Sequence, residues 1–130
     1  MKMFIALGAV LFLLTACAET PSTVDLDIAN NGVTLETTSG VTINVSLDSN
    51  VTTGYSWSLV TAPDAQILKL ISSDYVSPGP SGTPIVGAGG KQVWKFQTTG
   101  RGTTSFKLAY FRPFDPTKVA KEFTATIVVK

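Results

Sequence analysis

Most of this chain alternates between apolar and polar residues. Val41, Ile43, Val45 and Leu47 are apolar, and Thr42, Asn44, Ser46 and Asp48 between them are polar. A period of two puts every second side chain on one face of an extended strand, and no helix with about 3.6 residues per turn reproduces it. The same texture recurs along the chain. "TVDLDIA" sets Val24, Leu26 and Ile28 against Asp25 and Asp27, and "VTLETT" repeats the pattern after the turn residues "NNG". Tyr55, Trp57 and Leu59 share a face, as do Trp94 with Phe96, Phe106 with Leu108 and Tyr110, and Phe123 with Ala125, Ile127 and Val129. "QILKLIS" suits a short strand or one helical turn. Seven to eight such runs, with turn chemistry about every ten residues, predict an all-β antiparallel sandwich or barrel with one wet face per sheet. Trp57, Trp94, Phe96, Phe106, Tyr110 and Phe123 are its expected core.

The first residues have a different texture. Lys2 precedes the apolar run "MFIALGAVLFLL", which is shorter than the roughly 20 residues a bilayer span needs and fits the core of a secretory signal. The run ends in "LTAC", which resembles the lipobox of bacterial lipoproteins. That resemblance implies a signal peptide over residues 1–16, a diacylated Cys17, a tether over 17–22 and one domain over 23–130. It also implies a cell-envelope location with a lipid anchor, and Ala18 after the cysteine favours the outer membrane if the cell has two membranes.

Composition excludes whole classes of function. Without Lys2 the ten basic side chains become nine, equal to the nine acidic ones, and no basic cluster exists to neutralise phosphates, so no nucleic-acid partner is expected. Histidine is absent, which removes the usual general base and the commonest metal ligand. One cysteine permits no intrachain disulfide and no multi-thiolate metal site. The chain is therefore expected to be no enzyme and to use no metal and no cofactor.

Three connections are richer than chain reversal requires. Residues 48–54 carry "NVTTGYSW" into a strand. Residues 77–90 close on "GAGG", and eight of the fourteen residues there are glycine or proline. A loop of that length is uncommon in a compact domain and is often functional. "GAGGKQ" fails as a phosphate loop, because Ile85 stands at the first glycine's place and Gln92 follows Lys91. Residues 111–121 contain "RPF", where Pro113 restricts Arg112 and Phe114, two residue types enriched at binding hot spots.

Taken together, these segments resemble the chagasin-type inhibitors of papain-like cysteine peptidases. "NVTTGYSW" is similar to that family's Asn-Pro-Thr-Thr-Gly-Tyr-x-Trp, "GAGGKQVWKF" to its Gly-x-Gly-Gly-x-x-x-Trp-x-Phe, and "YFRPF" to its Tyr-x-Arg-Pro-Trp. Their order and spacing agree as well. The resemblance implies an immunoglobulin-like sandwich, acting as a monomer, whose three loops form a wedge that enters a papain-like peptidase's active-site cleft. By position, Asn50, Thr52, Thr53 and Gly54 would meet the catalytic centre. Gly87, Gly89 and Gly90 would approach one wall, and Arg112, Pro113 and Phe114 the other. Inhibition would be reversible occlusion over an interface of roughly 1,600 Å². Two positions depart from the family. Val51 replaces proline, which forgoes about 0.4–1 kcal/mol of pre-organisation, and Phe114 replaces tryptophan. An alternative of another class stays open at this point: an immunoglobulin-like envelope module for adhesion or assembly, with the scaffold kept and the loops repurposed.

Overall fold

The computed structural model describes residues 22–78 and 89–130. The expected signal peptide, Cys17 and most of the tether lie outside the described residues, as do Gly87 and most of the second loop. Eight strands form: β1 Thr23–Leu26, β2 Val33–Thr37, β3 Thr42–Ser49, β4 Ser56–Thr61, β5 Leu68–Val76, β6 Gly90–Thr98, β7 Gly102–Phe111 and β8 Lys121–Val129. Among the described residues there is no α-helix. Two short 3-10 turns sit at Ile28–Asn30 and Val51–Thr53. The "QILKLIS" segment resolves as a strand that continues to Val76.

The strands build two four-stranded sheets, ordered β1-β3-β6-β5 and β2-β8-β7-β4. Their facing surfaces are the apolar faces that the alternation marks. Ile43, Val45 and Leu47 from β3 and Phe123, Ala125 and Ile127 from β8 join one core cluster, and all six are buried. Phe96 of β6 stacks on Phe106 of β7 across the gap, with ring centroids 4.4 Å apart. Full burial of side chains of this size contributes about 1.5–3 kcal/mol each. All six aromatics expected in the core are buried.

Two pairings depart from the antiparallel expectation, since β1 runs parallel to β3 and β2 parallel to β8. The reason is topological. The chain reverses at every connection, so odd-numbered strands run one way and even-numbered strands the other, and the neighbours β1/β3 and β2/β8 each share a parity. Ile28 also departs. The alternation places it with Val24 and Leu26, but the chain leaves the sheet after Leu26 and Ile28 is 48% exposed in the first 3-10 turn. Asp27 and Asn30 cause the exit. The Asp27 carboxylate accepts from the Ala29 N–H (2.8 Å), and the Asn30 side chain accepts from the Asp27 N–H (3.0 Å), a reciprocal cap that competes with extended pairing.

Strict reversal sorts the connections between two poles. The β1–β2, β3–β4, β5–β6 and β7–β8 connections share one pole. The other pole holds the remaining three connections and both ends of the described chain, because Thr23 lies opposite Thr42 and Val129 opposite Gly102.

Candidate functional site

Three of the four connections at the first pole are the three motif-bearing loops. The β3–β4 loop is built on Asn50. Its carboxamide oxygen accepts from the Thr52 N–H (3.3 Å) and the Thr52 hydroxyl (2.5 Å). Its carbonyl accepts from the Thr53 hydroxyl (2.6 Å) and the Thr53 N–H (3.2 Å). One residue therefore holds the whole 3-10 turn as an N-cap. Gly54 closes the turn at φ 82°, a left-handed conformation that side chains other than glycine adopt at a cost of about 1–2 kcal/mol. Thr52, Thr53 and Gly54 are exposed at the tip. Both threonine hydroxyls donate inward, so they present acceptor lone pairs outward.

The β7–β8 loop braces this tip. The Arg112 Nε–H donates to the Thr53 carbonyl (3.1 Å), and the guanidinium lies 4.6 Å from the Tyr55 ring centroid. Tyr55 in turn stacks on Tyr110 at 5.2 Å, and the Tyr110 hydroxyl accepts from the Asn50 N–H (3.0 Å). Cation–π contact of a partly exposed arginine adds about 0.5–1 kcal/mol to this closed circuit. The loop itself is pinned by the Asp115 N–H donating to the Arg112 carbonyl (2.9 Å), with Lys118 paired to Asp115 (3.6 Å). Phe114 is thereby left projecting, 77% exposed. A Cβ placed on Gly54 would lie 3.7 Å from the Phe114 ring, so the two loops touch at their tips. Pro113 between the two is exposed.

The β5–β6 loop reaches the first from the other side. A Cβ on Gly89 would lie 3.9 Å from the Ser49 carbonyl and 4.0 Å from Asn50 Cβ. Gly89 is exposed, whereas Gly90 is buried as the first residue of β6. A side chain at Gly90 would collide with the Val76 carbonyl oxygen and lie 2.6 Å from the Tyr75 hydroxyl. Close packing inside the fold thus requires glycine at position 90.

One residue at this pole escaped the sequence reading. Gln92 lies on the same face of β6 as Trp94 and Phe96, and its amide reaches across to the other sheet. Its oxygen accepts from the Trp57 N–H (2.9 Å) and the Ser49 hydroxyl (3.1 Å), and its nitrogen donates to the Trp57 carbonyl (3.0 Å). β4 is an edge strand, so the carboxamide stands in for the neighbour that Trp57 lacks. The Trp57 indole N–H donates to the Asp48 carbonyl (3.0 Å), which ties the start of β4 to the end of β3. A polar residue in phase with core aromatics was the available signal.

The pole therefore offers hydroxyl lone pairs, backbone and a projecting ring on a braced frame. Among the described residues, no group of three or more Asp, Glu, His or Cys side chains could hold a metal. The model of the chagasin family peptidase inhibitors matches residues 36–129, the greater part of the chain. The chain belongs to the chagasin family. Chagasin of Trypanosoma cruzi is 29% identical over 101 residues, covering 74% of this chain and 88% of that protein. Amoebiasin-1 of Entamoeba histolytica is 31% identical, covering 78% and 94%. The crystal structure of a cysteine protease inhibitor of Entamoeba histolytica, EhICP2, superimposes with a TM-score of 0.69 at 25% identity, covering 83% of this chain and 96% of that one. The immunoglobulin-like sandwich is thus the chagasin-family fold, and this family member is an inhibitor and no enzyme.

Proposed function

We propose that this protein inhibits papain-like cysteine peptidases reversibly, by filling the active-site cleft with its three loops. The observation that carries the reading is the bracing of the pole. Asn50, Tyr110, Tyr55 and Arg112 hold the first and third loops in one hydrogen-bonded and stacked circuit. A preformed surface loses little conformational entropy on docking, which is what tight binding by loops demands. Thr52, Thr53 and Gly54 are small enough to enter a narrow cleft and cover the catalytic thiol. Gly87 and Gly89 bring backbone to one wall. Arg112, Pro113 and Phe114 dock on the other, with the Phe114 ring seated on an apolar or aromatic patch. No described tip residue carries a thiol or an electrophilic group that could bond covalently to the target's thiol, so inhibition is by occlusion. The protein acts as a monomer, held at the bacterial cell envelope by a lipid on Cys17.

The test titrates residues 18–130 against several papain-like peptidases. Stoichiometric inhibition without cleavage of the inhibitor is expected. Thr53→Trp, which changes an exposed tip and removes the hydroxyl bond to the Asn50 carbonyl, should abolish inhibition at a stability cost of no more than about 1.5 kcal/mol. Absence of inhibition by the unaltered chain at micromolar concentration sinks the proposal.

A further inference from the structure

We propose that the β1–β2 turn is a fourth contact with the peptidase, seating Ile28 on the rim of the cleft that the three loops enter. The inference rests on the inhibitory reading above and adds an element to it. Strict strand reversal puts this turn at the same pole as the loops. The family model's match begins at residue 36, so residues 27–31 lie outside that match.

The turn is built to present its apolar residue. Besides the Asp27–Asn30 reciprocal cap, the Asn30 N–H donates to the Asp27 carbonyl (2.9 Å) and the Asn31 N–H to the Ile28 carbonyl (3.1 Å). The Asn31 side chain accepts from the Thr124 N–H (2.9 Å), which fastens the turn to β8. Ile28 is nevertheless half exposed. A single exposed isoleucine is ordinary on a protein surface; what suits this one to docking is its place on a braced turn at the same pole as the loops.

Position decides the occupant. Ile28 lines a small dent together with Asp48, Trp57 and Lys121, all at the base of the first and third loops. β1 ends level with Val45, four residues short of the end of β3, so the turn is set back from the Thr53 tip. Tips that enter a cleft bring a set-back shelf against the cleft's rim. Ile28 also borders a shallow depression of about 290 Å³, lined with it by Asp27, Ala29, Ser46, Asp48 and Lys91. Lys91 pairs with Asp48 (2.9 Å), Asp27 enters no ion pair among the described residues, and Lys121 lines the neighbouring dent, so the negative charge lies on the Asp27 side of Ile28. The rim it fits carries an apolar side chain beside a basic one.

The experiment measures inhibition constants for the unaltered chain, Ile28→Asp, Ile28→Leu and Val60→Asp, with Thr53→Trp as the reference for lost wedge function. Val60 is a comparably exposed valine (49%) in a bulge at the far end of β4. Ile28→Asp should weaken inhibition about tenfold. Ile28→Leu should stay within about twofold, and Val60→Asp should leave the constant unchanged. Hydrogen exchange on the unaltered chain gives a readout that needs no variant to fold. The amides of Ala29, Asn30 and Asn31 should exchange more slowly in the complex. Unchanged inhibition by Ile28→Asp, or unchanged exchange at those amides, overturns the fourth contact while Thr53→Trp still reports the wedge. If the unaltered chain inhibits nothing, the inhibitory reading falls and the fourth contact falls with it.

Discussion

Replacing Gln92 with methionine tests the bracing of the pole most directly. Methionine keeps the length and most of the volume of glutamine, so the change removes three hydrogen bonds and little packing. A bond of this kind is worth about 0.5–1.5 kcal/mol net, and a buried group left without a partner costs about 1–3 kcal/mol. Trp57 is almost wholly buried, so its N–H and C=O have poor access to water once the amide is gone. Ser49 is buried too, but its hydroxyl can rotate toward another acceptor. Releasing a half-buried amide from the interior offsets part of the loss. The net is a destabilisation of about 2–3 kcal/mol, or roughly 10–15 °C in melting temperature for a domain of this size. Calorimetry or urea unfolding reads it, with Gln97→Met on the exposed face of the same strand expected within about 0.5 kcal/mol of the unaltered chain. Because Gln92 joins β6 to the start of β4, inhibition should weaken along with stability. A Gln92→Met protein as stable as the Gln97→Met control would refute the reasoning.

Val51→Pro should stabilise the chain by about 0.4–1 kcal/mol and tighten inhibition, since Val51 opens a 3-10 turn, is exposed, and follows Asn50 at φ −116°, ψ 90°, where proline fits; a lower melting temperature would count against that geometry. Gly90→Ala should destabilise by about 1–3 kcal/mol, because its methyl group must displace the Val76 carbonyl, and urea unfolding is the check. Phe114→Ala should leave stability within about 0.5 kcal/mol yet weaken inhibition at least about tenfold. A ring that contributed only to folding would give the opposite result in the paired melting and inhibition assays.

What the sequence disclosed and what it withheld follow one division. Alternation is local, so β3, β6, β7 and β8, with Ile43, Phe96, Phe106 and Phe123 inward, were legible from single runs. The three loops were legible as motifs because each is contiguous. Pairing partners were not, since β1 lies beside β3 and β2 beside β8 only after the whole order of strands is set. Gln92 read as one polar residue in an apolar phase, and its meaning lies with Trp57, 35 positions away. Ile28 misled because apolar periodicity pointed inward while the caps at Asp27 and Asn30 pointed to a turn, and the caps prevailed. At Gly90 the motif suggested an outward-facing backbone, yet the packing of Tyr75 against it was invisible without the fold.

The placement of both described chain ends at the pole away from the loops sets how this molecule can be handled. Thr23 and Val129 stand at the foot of the sandwich, and β3 alone separates the first loop from that foot by eight residues, roughly 26 Å. A cargo, a surface or a lipid joined at either end grips the heel and leaves the blade clear. An acyl chain on Cys17, the anchor proposed above, would join the molecule from the end of the sandwich away from the loops. Two copies joined end to end would present two edges facing apart, each free to meet its own target.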